Sequence, residues 1–324
     1  MTTTLRQPPG GVRIGSVLRR TVGRLRTAGI ATARQDAELL LARVLGTTRL
    51  ALHLEPGRTL GGEALSRFEA CVTRRAGQEP LQYILGEEEF LGLRLGVGPG
   101  VFIPRPETEL LVERAVALCP PTAPSVALDL GAGSGAIACG LAARRLGVVV
   151  WAVELDPTAA AWARVNVEHL GLAGRVTVLE GDLWTPLAGQ GLEGRCDLVL
   201  ANPPYIARPA LGGLPEEVRR FEPALALDGG PDGLAVIERI LAQGPRFARP
   251  GGRVLLEIGH DHAPALRRRL GDDPRYGVPV FHRDLLGYER VLEVSVEPVE
   301  VSPVTPPPPD GWGGGAGGVA GGFH

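Results

Sequence analysis

Residues 198–205 read LVLANPPY. Four apolar residues in a row suit a buried strand. An amide, two prolines and an aromatic ring then follow. Proline fixes φ and donates no N–H, so such a turn offers oxygens and a flat ring. Those groups answer one chemical problem. A nitrogen that bears two hydrogens on an sp² carbon is a poor nucleophile, because its lone pair is delocalised. To attack a methyl carbon, that lone pair must be freed and aimed. Acceptors on both N–H bonds favour a pyramidal nitrogen. The Asn202 side-chain oxygen and the Pro203 carbonyl can be those acceptors, held inward by Pro203 and Pro204 in a preorganised arrangement. Tyr205 can stack on the planar group. A structural turn after a strand is the plain alternative, and the company the motif keeps argues against it.

Three other segments with strand-like apolar runs end on groups suited to a ligand. In LDLGAGSGAIA, Asp129 precedes Gly131, Ala132, Gly133, Ser134 and Gly135. Glycines let backbone approach a ligand closely, and the helix that follows starts with free N–H groups. A buried carboxylate there would repel a pyrophosphate. It would welcome an ammonium, such as that in the methionine part of S-adenosylmethionine. In VVVWAVELDP, Glu154 follows Gly135 by about 20 residues, the distance at which an acid accepts bonds from a ribose diol. Asp156 competes for that role, but fits better as an N-cap before Pro157. In VLEGDLW, Asp182 is placed to accept from an adenine amino group and the Leu183 N–H to meet a ring nitrogen, with Leu183 and Trp184 as apolar contacts.

The elements that must position these residues follow from periodicity. Residues 1–78 are expected to form a small helical domain. Val17, Leu18, Val22, Leu25 and Ile30 share one face, then Ala37, Leu40, Leu41 and Val44 with Gly46 as a stop, then Leu65, Phe68 and Val72. Residues 79–105 mix β-prone residues with Gly and Pro and read as a hairpin or linker. A helix follows at ETELLVERAVALC. Over 106–298, strands such as SVALDL, VVVWAVEL, RVTVLEGD, CDLVLA, GGRVLLEIG and RVLEVSVE alternate with helical segments. That alternation predicts a parallel-dominated α/β sheet, with ligands at the carboxyl ends of its strands. Residues 299–324 are Pro-rich and then Gly-rich and read as a disordered tail.

Composition narrows the function classes. The chain has 324 residues, 44% hydrophobic and 22% charged, with a net charge of −2, so a globular core is expected and a large electrostatic grip on nucleic acid is not. All 34 basic residues are arginine, which reads as genomic bias. Cys71, Cys119, Cys139 and Cys196 lie far apart and form neither a zinc pair nor a disulfide framework. Reduced thiols, no membrane span and a cytoplasmic location are expected. The start, MTTTLRQPPGG, shows no apolar targeting core. His260 and His262 flank Asp261 without a third ligand nearby, so no metal is expected.

Together these residues resemble the class I S-adenosylmethionine-dependent methyltransferases that modify amino or amide nitrogens. The segment RRAGQEPLQYILGEEEFLGLRLGVGPGVFIPRPETELLVE is similar to the one that joins the two domains of the release factor glutamine methyltransferases, the HemK/PrmC family. DLGAGSGAIA, NPPYI and RRFEPALAL follow in that family's order, and the likeness spans roughly residues 13–297. The resemblance implies a Rossmann-like class I methyltransferase sheet, mostly parallel with an antiparallel last strand. The small N-terminal helical domain would help hold the release factor. It implies transfer of a methyl group from S-adenosylmethionine, leaving S-adenosylhomocysteine, to the side-chain amide N5 of the glutamine in the GGQ loop of class 1 peptide chain release factors. Carried over by motif, Gly131 to Gly135 and Glu154 contact the cofactor. Asp182 and Leu183 fall near the adenine, Asn202 to Tyr205 hold the amide, and Asn202 is counted with the cofactor-binding residues as well. The segment TPLAGQGLEGR, between Asp182 and Asn202, and the Pro/Gly tail depart from the family pattern. Arg105 is read as pairing with Glu107 or Glu109, or as anchoring the hinge. Phe221, Glu222 and Pro223 line the substrate entrance or form a packed loop.

Three rival functions stand beside this one. A nucleic-acid methyltransferase acting on adenine N6 or guanine N2 would use the same NPPY chemistry, but calls for a basic face. A nicotinamide oxidoreductase predicts G-x-G-x-x-G, where this chain has Ala136 directly after Gly135 and no evident hydride site. A binding module would require these strand-end residues to be vestigial. No direct nucleic-acid partner is expected, and a monomer suits the layout.

Overall fold

A computed structural model of the chain describes residues 11–121 and 123–298. The N-terminal ten residues and the 299–324 tail, on which the targeting and disorder readings fall, lie outside the described residues.

The N-terminal part contains β1 (Val12–Arg13), α1 (Ile14–Thr27), α2 (Ala33–Leu45), α3 (Arg49–Leu54), β2 (Thr59–Leu60) and α4 (Gly62–Ala76), with β1 antiparallel to β2. The helical period sets its core: Ile14, Val17 and Leu25 of α1 are buried with Ala37, Leu40 and Leu41 of α2 and Phe68 and Val72 of α4. Gly46 takes φ 60° and its N–H caps the end of α2, a conformation glycine adopts at no steric cost. The short α3 escapes a periodicity reading because six residues hold under two turns. Thr48 starts it by accepting the Ala51 N–H. Of this domain's ion pairs among the described residues, one has both side chains buried: Arg75 Nε donates to Asp36 Oδ2 at 2.7 Å.

The segment read as one connector divides between two cores. In α5 (Leu81–Leu85), Leu81, Ile84 and Leu85 pack on the helical core. The expected hairpin, β3 (Glu87–Phe90) with β4 (Leu93–Gly96), sends Phe90 and Leu95 into the core of the second domain.

The second domain continues with α6 (Pro106–Leu118), β5 (Ser125–Leu130), α7 (Ala136–Arg144), β6 (Val148–Glu154), α8 (Pro157–His169), β7 (Val176–Glu180) and β8 (Cys196–Ala201). Then come α9 (Glu216–Phe221), α10 (Ala235–Phe247), β9 (Ala248–Glu257), α11 (Ala263–Gly271), β10 (Val280–Arg283) and β11 (Glu289–Ser295). The seven-stranded sheet has the order β10-β11-β9-β8-β5-β6-β7. Pairs from β9 through β7 are parallel, and β11 runs antiparallel to β9, as expected of the last strand. The edge strand β10, antiparallel to β11, was not anticipated. Its four residues include a His and an Arg, which hide the alternation. β5 and β8 are nearly continuous apolar runs because helices cover both faces. The chain leaves β5 toward β6 and β7 on one side, then returns to build β8 and β9 on the other. A crevice opens where that order reverses, outside the carboxyl ends of β5 and β8.

Among the described residues no helix is long and apolar enough to cross a membrane. All four cysteines are free thiols.

Candidate active site

A cavity of about 370 Å³ occupies that crevice. All four strand ends singled out in the sequence meet in it. Gly131, Ala132, Gly133 and Ser134 line it from the loop after β5, and Glu154 and Asp156 from the end of β6. Asp182 and Leu183 come from the end of β7, and Asn202, Pro203, Pro204 and Tyr205 from the end of β8. Phe102, Arg105 and Thr108 close one side, while Leu214, Val218, Pro223 and Leu225 form an apolar wall on another.

Asp129 and Gly135 stand behind this lining rather than in it. Asp129 is fully buried; its Oδ2 accepts the Ala138 N–H of α7 at 3.0 Å, and its Oδ1 has no partner. Burial pushes its carboxyl up to about 7. Gly135, at φ 78°, lets α7 approach α8, since a Cβ there would sit 3.3 Å from the Ala163 Cβ. Gly131 and Gly133 also have positive φ, but a Cβ at either meets open space. The loop is fastened by the Gly131 and Ala132 N–H groups, which donate to the Val153 carbonyl at 2.8 and 3.0 Å. Asn166, missed in the sequence, ties the loop to the hairpin: its Nδ2 donates to the Ser134 carbonyl and its Oδ1 accepts the Gly96 N–H.

The shifted Asp129 carboxyl makes a stability prediction with a definite sign. Its folded value, about 7, lies above the ordinary 3.8, so the folded state holds the proton more tightly. The stability this adds is fully present below about pH 4 and is lost as pH rises through about 7. Urea unfolding at about pH 5 and about pH 8 should show the parent losing more stability on the way up than Asp129→Asn, which cannot ionise. Equal losses in the two proteins would contradict the assignment.

Glu154 holds the loop from the other side. Its Oε2 accepts the Gly133 N–H at 2.7 Å and its Oε1 the Asp156 N–H at 2.8 Å. Burial nevertheless raises its pKa. Each oxygen retains a lone pair for a hydroxyl donor. Asp156 caps α8 as expected, accepting the Thr158 and Ala159 N–H groups at 2.7 and 3.1 Å. Asp182 is half exposed and pairs with Arg239 at 2.6 Å, a cation from α10 that the motif gave no sign of. Leu183 is buried in a left-handed conformation, φ 45°. Trp184 departs from its reading as an apolar ring contact. It is buried in the core, stacked on Phe247 at 4.7 Å with Nε1 donating to the Arg239 carbonyl, because the left-handed turn at Leu183 sends the next side chain inward.

At the end of β8, Asn202 Nδ2 donates to Thr108 Oγ1 at 2.9 Å. Among the described residues no group donates to Asn202 Oδ1. The Tyr205 hydroxyl donates to Glu257 Oε1 at 3.1 Å, and its ring meets the His262 ring edge-on. The turn is clamped by backbone: Ile206 N–H donates to the Leu227 carbonyl at 3.0 Å and Gly229 N–H to the Ile206 carbonyl at 2.9 Å. Gly233, at φ 83°, presses against this turn, with no room for a Cβ beside the Tyr205 carbonyl and His262. His262 is thus a packing residue, its Nδ1 accepting the Gly259 N–H at 3.2 Å.

Arg105 pairs with neither Glu107 nor Glu109. It donates to Glu222, which also accepts the Ile103 N–H at 3.2 Å, and its guanidinium lies over the Phe102 ring. Glu109 instead accepts the Leu91 N–H. Of the Phe221-Glu222-Pro223 segment, Pro223 lines the cavity and Phe221 packs beside Val97, Val101 and Ile103.

Known families and proteins match this layout. The PrmC N-terminal domain model matches residues 16–86 and the methyltransferase small domain model residues 105–212. The release factor glutamine methyltransferase of Geobacter sulfurreducens is 44% identical over 246 residues, covering 76% of this chain and 84% of that protein. The protein of that name from Gloeobacter violaceus is 39% identical over 290 residues, covering 89% of this chain and 97% of its own length. The one from Mycolicibacterium smegmatis is 44% identical over 287 residues, covering 87% and 98%.

Proposed function

The chain belongs to the release factor glutamine methyltransferase family, and on that premise we propose that it methylates the side-chain amide N5 of the glutamine in the GGQ loop of class 1 peptide chain release factors, with S-adenosylmethionine as donor. The observation that carries the amide chemistry is the Asn202 amide, which lines the cavity with Nδ2 held by Thr108. Its oxygen is thereby free for a substrate –NH2. The Pro203 carbonyl is the second acceptor, on a turn stiffened by two prolines. Acceptors on both N–H bonds localise the nitrogen lone pair toward the donor carbon.

The residues present fit the methyl donor. The open space where Cβ atoms at Gly131 and Gly133 would point suits the amino-acid end. The carboxylates of Glu154 and Asp182 suit hydroxyl and amino donors of the nucleoside. When bound, S-adenosylmethionine supplies an electrophilic methyl carbon on a sulfonium. The chain's own part is to bind, orient and exclude water, and positioning of this kind is worth on the order of 7–11 kcal/mol of barrier. No base need remove a proton beforehand, since the cationic product nitrogen is itself acidic. The apolar wall of Leu214, Val218, Pro223 and Leu225 surrounds the route of an uncharged glutamine side chain.

Mass spectrometry of a release factor incubated with the protein and S-adenosylmethionine tests this. One added methyl on the GGQ glutamine is the expected result. An unmodified release factor beside methylated RNA or DNA would favour the nucleic-acid reading instead. Gly133→Val places a branched side chain at φ 56°, in space reserved for the donor. Calorimetry should show donor affinity reduced at least about tenfold, a loss of about 1.4 kcal/mol, because the branched side chain fills space the bound donor occupies. Unchanged affinity would remove Gly133 from the donor site.

A further inference from the structure

Two buried residues outside every strand-end motif brace the Asn202–Tyr205 turn, Thr108 from the cavity wall and Glu257 from the end of β9. Glu257, the last residue of β9, is 1% exposed, and Thr108, in the first turn of α6, is 3% exposed. The Thr108 hydroxyl donates to Glu257 Oε2 at 2.6 Å. The Tyr205 hydroxyl donates to Glu257 Oε1. Thr108 Oγ1 in turn accepts from Asn202 Nδ2.

The direction of each bond follows from the donor inventory. Burial raises the Glu257 pKa to about 7, so above that pH its carboxylate only accepts, and a hydroxyl has one proton to give. With that proton committed to Glu257, Thr108 shows Asn202 lone pairs alone. Asn202 must then turn its –NH2 to Thr108, which leaves Oδ1 facing the cavity. The opposite flip would set Oδ1 against an oxygen with no proton to share, and would present –NH2 to the substrate's own –NH2. Both arrangements cost a buried hydrogen bond. The flip state of one amide therefore decides whether the site offers an acceptor or a donor to the nitrogen it must activate.

Resting on the glutamine-amide reading above, we propose that Thr108 and Glu257 are positioning residues that lock the Asn202 amide with its oxygen toward the substrate, Glu257 at the same time anchoring Tyr205. Neither touches the reacting atoms; each acts through the turn it braces.

Steady-state kinetics on release factor, with calorimetry of S-adenosylmethionine binding, tests the inference in four proteins: the parent, Thr108→Val, Thr108→Ser and Glu257→Gln. Thr108→Val keeps the shape and removes the hydroxyl. Glu257→Gln keeps the volume and introduces an –NH2 that can donate to Thr108, which frees the hydroxyl proton to face Asn202. Both should lower kcat by up to about 10²-fold through misorientation, with KM for release factor and donor affinity within about twofold of the parent. Thr108→Ser, which restores only the hydroxyl, should recover most of kcat. A merely structural role would instead track side-chain volume, so that Val would serve as well as Ser. Parent-like kcat in Thr108→Val or, should that variant not fold, in Glu257→Gln overturns the inference while leaving the glutamine reading intact. A parent that methylates no release factor overturns both.

Discussion

Replacing Asn202 with alanine is expected to lower kcat for methyl transfer by about 10²–10³-fold, the range seen when one preorganised polar partner of a transition state is removed. The substitution deletes the oxygen that grips the substrate –NH2, and it also leaves the buried Thr108 hydroxyl without the Nδ2 donor it accepts from. Donor binding should survive within about twofold, because the glycine loop, Glu154 and Asp182 hang on other strand ends. The split between kcat and donor affinity is the informative part. Calorimetry with S-adenosylmethionine beside a methylation assay measures both. Loss of donor binding together with kcat would mean that Asn202 acts mainly on the cofactor side. Near-parental kcat would remove it from the chemistry.

Arg75→Ala is expected to destabilise the helical domain by about 3–5 kcal/mol, the cost of stranding a buried charge. Among the described residues Arg75 is the side chain that donates to Asp36, and the two side chains are 6% and 3% exposed. Alanine would leave the Asp36 carboxylate buried and unpaired. For a helical unit of this size the transition should fall by more than about 10 °C in a thermal scan. Pairing Arg75→Met with Asp36→Leu should recover most of the loss, since apolar residues of similar volume replace buried ion pairs at little net cost. Arg75 has a second partner: its Nη1 donates to Glu217 Oε2 at 2.7 Å, on α9. That helix carries Val218 into the cavity wall and leads straight to Glu222, which holds Arg105. The double variant, folded but without this link, should therefore show a raised KM for release factor with kcat little changed. A single-variant transition unmoved from the parent's would show that Asp36 is not stranded.

The sequence made the strand ends legible because each carries its chemistry in a short window. The period-two and period-3.6 patterns placed β5, β6, β8, β9 and the main helices, and strand–helix alternation sufficed to predict a parallel sheet. What stayed hidden depends on contacts between distant segments. Thr108 and Glu257 lie 149 positions apart, and only the adjacency of α6 to the end of β9 joins them. Arg105 found Glu222, 117 positions away, rather than the glutamates beside it, because Arg105 lies before α6 and its side chain turns toward the loop after α9. Trp184 looked like a ligand contact because a positive φ at a leucine is not written in residue type. Asp129 was read correctly as a buried acid, yet its place behind the glycine loop follows from the Ala138 N–H that captures it. Short pieces, α3, α9 and β10, hold too few residues for any period to show.

A crystal structure of the protein with S-adenosylhomocysteine and a glutamine peptide from the GGQ loop tests the central claim most directly. The predicted result is both Asn202 Oδ1 and the Pro203 carbonyl within about 3 Å of the substrate amide nitrogen, each along one N–H bond, with the free face of that nitrogen toward the sulfur. An amide nitrogen gripped by neither oxygen, or an Asn202 turned to offer its –NH2, would contradict it.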